Sequence, residues 1–304
     1  MTTIPVSRWP YVAKRLAKDG LLRVPGATAF NAARHGHNTG MMYDPDEVHS
    51  LFGGHVDRLA PHWSSPLGKV AVELGPGNSL AQALLWSLLG AERVVAVDVQ
   101  EYVSEDSAPG VYAGVIERLD PRIRSGLLPD PLGPEGRAER EAELFPGGKH
   151  EFPVLGSRID YRVTDGRDLP VDSQTVDFIY SISVLEHVRD VGHAYMEMAR
   201  VLRSGGLCSH LIDLRDHHHE DPVDFLRYPD GLWQRMTGRS AGWTNRLRST
   251  EHLDLIRAAG FEVLAYEPRM LETAPNPSAI DRRFRSFDAE VLRTIGMILV
   301  LRKP

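Results

Sequence analysis

Between Val70 and Ser79 the chain reads Val-Ala-Val-Glu-Leu-Gly-Pro-Gly-Asn-Ser, and a second apolar run, Val94-Val-Ala-Val, ends in Asp98. Gly75 and Gly77 lack a Cβ, so the backbone can turn sharply there and a ligand can lie against it. Glu73, at the end of the first run, can reach an ammonium or hydroxyl group. Asp98, at the end of the second, is placed to accept both hydroxyls of a ribose. The chemistry served by this spacing is the wrapping of a nucleoside. A dinucleotide fingerprint would want G-x-G-x-x-G, but Leu80 stands where its third glycine belongs, which weakens a pyrophosphate reading.

These groups need elements to hold them. The two runs predict strands, and Ser79 offers an N-cap to a helix between them. Leu80, Ala83, Leu84 and Leu88 recur on one face of that helix, with Gly90 as its stop. Residues 66–215 continue to alternate strand and helix patterns, the signature of a parallel sheet with helices on both faces. Val191, Ala194, Tyr195, Met198 and Leu202 mark a helix face that stops at Gly205-Gly206. Within this region, residues 120–153 are dense in Pro, Gly and charge and predict a mobile loop. Residues 1–65 read as an N-terminal lid with a basic helix near Tyr11 to Leu22. Residues 216–248 read as a cap. A helix over Thr250 to Ala259, a strand over Phe261 to Tyr266 and a last strand over Ile295 to Leu301 complete the chain.

At 304 residues the chain can bury a substantial core. Its 35 basic and 41 acidic residues give a net charge of −6, so no general attraction to nucleic acid is expected. The lone Cys208 excludes a disulfide framework and suits the cytoplasm. No stretch approaches the roughly eighteen uninterrupted apolar residues of a membrane span, so no membrane partner is expected.

Four segments, in order, carry a resemblance. Glu73-Leu-Gly-Pro-Gly-Asn78 resembles the first motif of class I S-adenosylmethionine-dependent methyltransferases, with Ser79 where a third glycine is common. Val163-Thr-Asp165-Gly166 resembles the segment whose acid contacts the adenine amino group. Val176 to Val188, containing Ser181, Ile182 and His187, resembles the fourth strand and the turn under the sulfonium. Ala199 to Gly206 resembles the helix end before the fifth strand. The resemblance implies a Rossmann-like α/β fold, mostly parallel with an antiparallel last strand, over residues 66–304. It implies S-adenosylmethionine as cofactor, bound by Glu73, Gly75, Pro76, Gly77, Asn78, Asp98, Val99, Asp165, Gly166, Ser181, Ile182 and His187.

Methyl transfer from a sulfonium is an in-line displacement, and alignment of the acceptor can supply about 7–11 kcal/mol. A histidine that helps remove the acceptor's proton adds about 10²–10⁴-fold. His187 follows strand four, and Asp213-Leu-Arg-Asp-His217-His218-His219-Glu-Asp221 follows strand five, where open α/β sheets bind ligands. His217, His218 and His187 are therefore the catalytic candidates, with a solvated polar loop as the competing reading of the histidine run. Adjacent histidines in an extended segment point to opposite sides, so the run alone cannot form a compact three-ligand site, and no metal is expected. Arg34 to Tyr43, with His37, reads as a binding loop over donor or acceptor. Phe225, Tyr228, Trp233 and Trp243 either wall an acceptor pocket or anchor the cap.

The expected function is methyl transfer from S-adenosylmethionine to an oxygen or nitrogen of a small-molecule acceptor, of the kind found in bacterial glycan and natural-product pathways. The competing classes are a nicotinamide-dependent oxidoreductase and a non-catalytic nucleoside-binding regulator. A second copy of the chain, as a homodimer, is the one macromolecular partner left open.

Overall fold

The structure, a computed structural model, describes residues 4–24, 42–63, 65–164, 167–240 and 242–304. Apolar, β-branched runs build the centre of its sheet: β1 (Val70–Leu74), β2 (Arg93–Asp98), β3 (Ile159–Val163), β4 (Val176–Ile182) and β5 (Leu202–Asp213). All five are parallel, and β7 (Thr294–Arg302) runs antiparallel between β5 and the edge strand β6 (Glu262–Met270). The order is β3-β2-β1-β4-β5-β7-β6, the mostly parallel sheet with an antiparallel last strand that the sequence implies. The order reverses between β1 and β4, which opens a crevice at the carboxyl ends of the strands.

Among the described residues the helices are α1 (Trp9–Leu21), α2 (Pro45–Leu59), α3 (Ala81–Leu88), α4 (Val111–Arg124), α5 (Gly133–Leu144), α6 (Val191–Val201), α7 (Asp230–Thr237), α8 (Ser249–Ala258) and the short α9 (Ala289–Arg293). Successive residues of a strand face opposite sides, and β4 divides accordingly. Phe178 and Tyr180 join Phe52, Trp86 and Tyr112 in one core, while Ile179 joins Val72, Tyr195, Met198 and Leu299 in the other. Trp86 lies 4.6 Å from Phe52 and 4.8 Å from Phe178, centroid to centroid. Burying such side chains stabilises the fold by about 1.5–3 kcal/mol each. A third cluster, with Phe225, Tyr228, Trp233, Met236 and Phe284, also takes Val12 of α1. No helix among the described residues is long and apolar enough to cross a membrane.

The structure departs from the sequence reading at four places. Residues 120–153 are not a loose loop. They hold the end of α4 and all of α5, with Leu128, Leu144 and Phe145 buried in the main core. Arg140 donates to the carbonyls of Ser87 and Ala91, and Arg137 pairs with Asp120 and Asp130. Ser79 caps nothing: α3 begins after Leu80, and the Ser79 hydroxyl donates to the Met42 carbonyl at 2.5 Å. Gly205-Gly206 does not end α6, which stops at Val201. Instead β5 begins at Leu202 and bulges past β4 before pairing resumes at Phe178 with Leu207. The described parts of the first 65 residues divide between two places: α2 helps build the main core, and α1 packs on the cap.

A test of the first correction is Leu144→Ala, expected to destabilise the protein by about 2–5 kcal/mol in chemical denaturation. A midpoint equal to wild type would return residues 120–153 to a detached loop.

Candidate functional site

The loop after β1 is shaped by what a side chain would hit. Gly75 has φ +64°, and a Cβ there would stand 2.5 Å from Cγ2 of Val184, on the turn after β4. Gly77 has φ +71°. The loop therefore passes against the neighbouring turn with no room for a side chain, as a cradle for a flat ligand requires. The Gly75 amide donates to the Val97 carbonyl at 2.8 Å, tying the loop to β2. Asn78 keeps a buried Oδ1 without a hydrogen-bond partner, a polar atom left for something outside the chain.

Two carboxylates flank this loop. Asp98 is 8% exposed and accepts from the Val99 amide at 2.7 Å, with the amides of Gln100 and Gly77 also directed at it. Burial raises its pKa, and these amides oppose the rise. Val99 beside it is exposed. Glu73 is buried and accepts from the Tyr180 hydroxyl at 3.0 Å, across the β1–β4 pair. Its carboxyl faces inward in this structure, toward Tyr180 and the Ala83 amide of α3. Burial pushes its pKa up to about 8, with the Asp98 charge adding to the rise. The glycine cradle, the orphaned Asn78 oxygen and the acid at the end of β2 together fit an adenosyl ligand. Asp165 and Gly166 lie outside the described residues, as does most of the Arg34 to Tyr43 loop with His37; Tyr43 is exposed.

On the β4 side, Ser181 is buried and pairs with Nδ1 of His210 at 2.8 Å, so its hydroxyl faces the core, and Ile182 is half-buried. Ser183, unmarked in the sequence, has φ +52°, a strained backbone at the mouth of the crevice. A 3₁₀ turn, Leu185–His187, comes next. The imidazole of His187 donates from Nδ1 to the Trp243 carbonyl at 2.7 Å, which leaves Nε2 with its lone pair. Burial lowers the His187 pKa.

The histidine run divides three ways. His217 turns toward His187, with ring centroids 5.0 Å apart, and its Nε2 lies 3.6 Å from Oδ2 of Asp213. Asp213 is gripped by Arg215 at 2.5 Å; burial pushes its pKa up, but His217 and Arg215 outweigh that and hold it below the usual carboxylate range. His218 is packed into the cap, 5.9 Å from Trp233 and against Gly242, and burial drops its pKa to about 3. That position sets His218 apart from the His187–His217 pair. His219 pairs with Arg8 and meets the Tyr11 ring edge-on. Of the aromatic residues, Phe225, Tyr228 and Trp233 anchor the cap, while Trp243 supplies the carbonyl that orients His187.

Sequence reading missed Glu186, Asn245 and Tyr180. Glu186 is 1% exposed, and burial holds its pKa well above the usual range. Among the described residues, the groups able to hold a metal are Glu186, His187 and His217, and separately Asp168, His193 and Glu197. In the second group Glu197 is already paired with Arg200 and His193 with Asp168.

Two experiments probe this geometry. Asp98→Ala should weaken donor binding by more than tenfold in calorimetry while the melting cooperativity stays intact; unchanged affinity would remove Asp98 from the ribose role. For Glu73, the native state keeps a proton up to about pH 8 that the unfolded chain, at its ordinary 4.5, has already lost. Stability of the free protein should therefore fall as pH rises through that window and level off above it. Glu73→Gln removes this slope, so its melting-temperature advantage over wild type should grow from pH 5 to 8. A constant difference would show that Glu73 titrates normally.

Comparison with known proteins adds relatives to this geometry. Residues 140–209 match a family described as a methyltransferase domain. The ubiquinone biosynthesis O-methyltransferase of Methylocella silvestris is 29% identical over 169 residues, covering 54% of this chain and 61% of that protein. The enzyme of the same name from Rhizobium etli is 27% identical over 163 residues, covering 51% and 60%. The chain thus spans about 60% of the length of the curated relatives it matches. Among solved structures, a geranyl diphosphate methyltransferase in complex with SAM covers 94% of both chains at 15% identity and a TM-score of 0.46. An S-adenosylmethionine-dependent methyltransferase from Mesorhizobium loti covers 81% of this chain and 96% of its own at 15% identity and 0.45. Residues 140–209 thus carry a methyltransferase domain, within a sheet of the Rossmann-like class I methyltransferase type, and S-adenosylmethionine is the cofactor that goes with that fold.

Proposed function

We propose that the protein transfers a methyl group from S-adenosylmethionine to an oxygen or nitrogen of a small-molecule acceptor, with His187 and His217 assisting loss of the acceptor's proton. The observation that carries this reading is the meeting of these two imidazoles at the carboxyl ends of β4 and β5. There an acceptor would lie beside the donor held over Gly75 and Gly77.

Bound S-adenosylmethionine supplies an already activated methyl group, so the chain's task is alignment and proton handling. His187 is fixed in one tautomer by the Trp243 carbonyl. Asp213, locked by Arg215, gives His217 a carboxylate neighbour. The curated relatives are named O-methyltransferases, which favours oxygen over nitrogen. The nicotinamide alternative loses support at Leu80, a fully buried side chain where a dinucleotide loop needs its third glycine. The cytoplasmic, biosynthetic setting expected from the sequence belongs to this proposal.

The test is release of S-adenosylhomocysteine across a panel of phenols, sugars and amines, alongside thermal shifts with S-adenosylmethionine, S-adenosylhomocysteine and NAD. A ligand at a hundred times its Kd should add about 2.7 kcal/mol of stability. His217→Gln should lower kcat by about 10²–10⁴-fold and leave S-adenosylhomocysteine affinity within twofold. Stabilisation by NAD alone, or full turnover in His217→Gln, would overturn the reading.

A further inference from the structure

The turn after β4 and the loop after β5 bring three ligand-type side chains to one point. One ligand atom each of Glu186, His187 and His217 lies within 4.8 Å of the others. Glu186 is the unusual member. Its amide and that of Asp213 face the carboxyl, yet neither buried oxygen completes a hydrogen bond. Arg215, the guanidinium nearby, is spent on Asp213. A carboxylate so placed is costly unless it is protonated or meets a cation.

The two imidazoles are presented for the same purpose. His187 gives its Nδ1 proton to the Trp243 carbonyl, which fixes the tautomer and leaves the other nitrogen free to coordinate. His217 has a buried Nε2 without a hydrogen-bond partner, and the Asp213 carboxylate stands 3.6 Å from that same nitrogen, adding negative charge beside the cluster. The turn that carries Glu186 and His187 is held rigidly. The Asn245 side chain donates to the carbonyls of Leu185 and Val188 at 2.8 and 3.0 Å, and its amide donates to that of Glu186. A carboxylate with two imidazoles suits a first-row divalent cation and leaves coordination positions open.

We propose that Glu186, His187 and His217 form a binding site for a first-row divalent cation, which takes the acceptor's hydroxyl as a further ligand. The binding stands on this cluster alone; the role rests on the methyl-transfer reading and says how the two histidines assist. A hydroxyl coordinated there would ionise more easily: its O–H bond breaks, the proton passes to solvent, and the oxygen's pair forms the new bond to the methyl carbon as the carbon–sulfur bond breaks, its pair staying on the sulfur of the departing S-adenosylhomocysteine. The histidine run by itself supplies only one ligand, His217, and the strand-four turn supplies the rest.

The experiment titrates zinc and manganese chloride into the full chain after chelation, by calorimetry, with and without S-adenosylhomocysteine. Wild type should bind one equivalent, and Glu186→Gln and His217→Gln should each weaken binding by at least tenfold. His193→Gln, in the Asp168–His193–Glu197 group, should bind as wild type does. His217 lies on a loop, so His217→Gln carries the test if Glu186→Gln fails to fold. Equal binding by wild type and His217→Gln, or loss of binding in His193→Gln alone, would overturn the site. No metal binding, with turnover undiminished in chelator, would sink the cation while leaving methyl transfer standing. Specific binding lost in His217→Gln, with no acceptor turned over in the panel, would leave the site standing and remove methyl transfer.

Discussion

The structure depends on how the turns after β4 and β5 are held side by side. Ile182, the last residue of β4, pairs with Leu211 in parallel register, and β5 runs two residues further, to Asp213. Past that level the backbone is irregular, and its carbonyls need partners that no ladder provides. Asn245 meets this need for the Leu185–His187 turn, binding the carbonyls of Leu185 and Val188 while its amide takes that of Glu186. Each buried carbonyl left unmet would cost about 1–3 kcal/mol. This strap holds the turn while the Trp243 carbonyl keeps the His187 ring facing His217.

The strap is itself anchored by two buried arginines. Arg246, with φ +61°, donates to the carbonyls of Phe225 and Tyr228 and pairs with Asp230. Arg248 is fully buried and donates to the carbonyls of Leu214, Val291 and Thr294. Burial lowers both pKa values to about 10, which leaves them charged at neutral pH. Five N–H donors on a rigid plane let one side chain satisfy several carbonyls, a task lysine cannot perform. Thus Thr244-Asn-Arg-Leu-Arg248 works as internal scaffolding that fixes the cap to the sheet and the strand-four turn to both.

Legibility in the sequence followed locality. The residues proposed for the donor side stand close together in the chain, with Glu73 near the end of β1, Gly75 and Gly77 in the loop after it and Asp98 at the end of β2. Period and turn chemistry placed β1, β2, α6, α8 and β7 to within a few residues. The failures have a common physical origin. Residues 120–153 are rich in Pro, Gly and charge, yet Leu144 and Phe145 tie them to a core contributed by distant elements. Ser79 has the chemistry of a cap, but a tertiary partner, the Met42 carbonyl, takes its hydroxyl. Three consecutive histidines looked like a unit, whereas Arg8, Trp233 and His187 draw them apart. Glu186 was invisible because its significance lies in what it lacks, a partner, and only three dimensions show that.

The same division bears on how the two halves can change. The cradle at Gly75 tolerates no side chain, because Val184 stands 2.5 Å from where a Cβ would be. The donor half and the strand-four turn are therefore coupled by contact, and neither can shift alone. The proposed acceptor side is bounded by Asp213, Arg215, Trp243 and the loop with His217, on segments joined to the rest of the fold through Arg246 and Arg248. Substitutions on these loops can reshape the acceptor space while the arginines keep the cap in place. On the proposed reading, a rigid donor half and a replaceable acceptor wall would let one sheet serve many acceptors, because only the loop side chains need to match each new one.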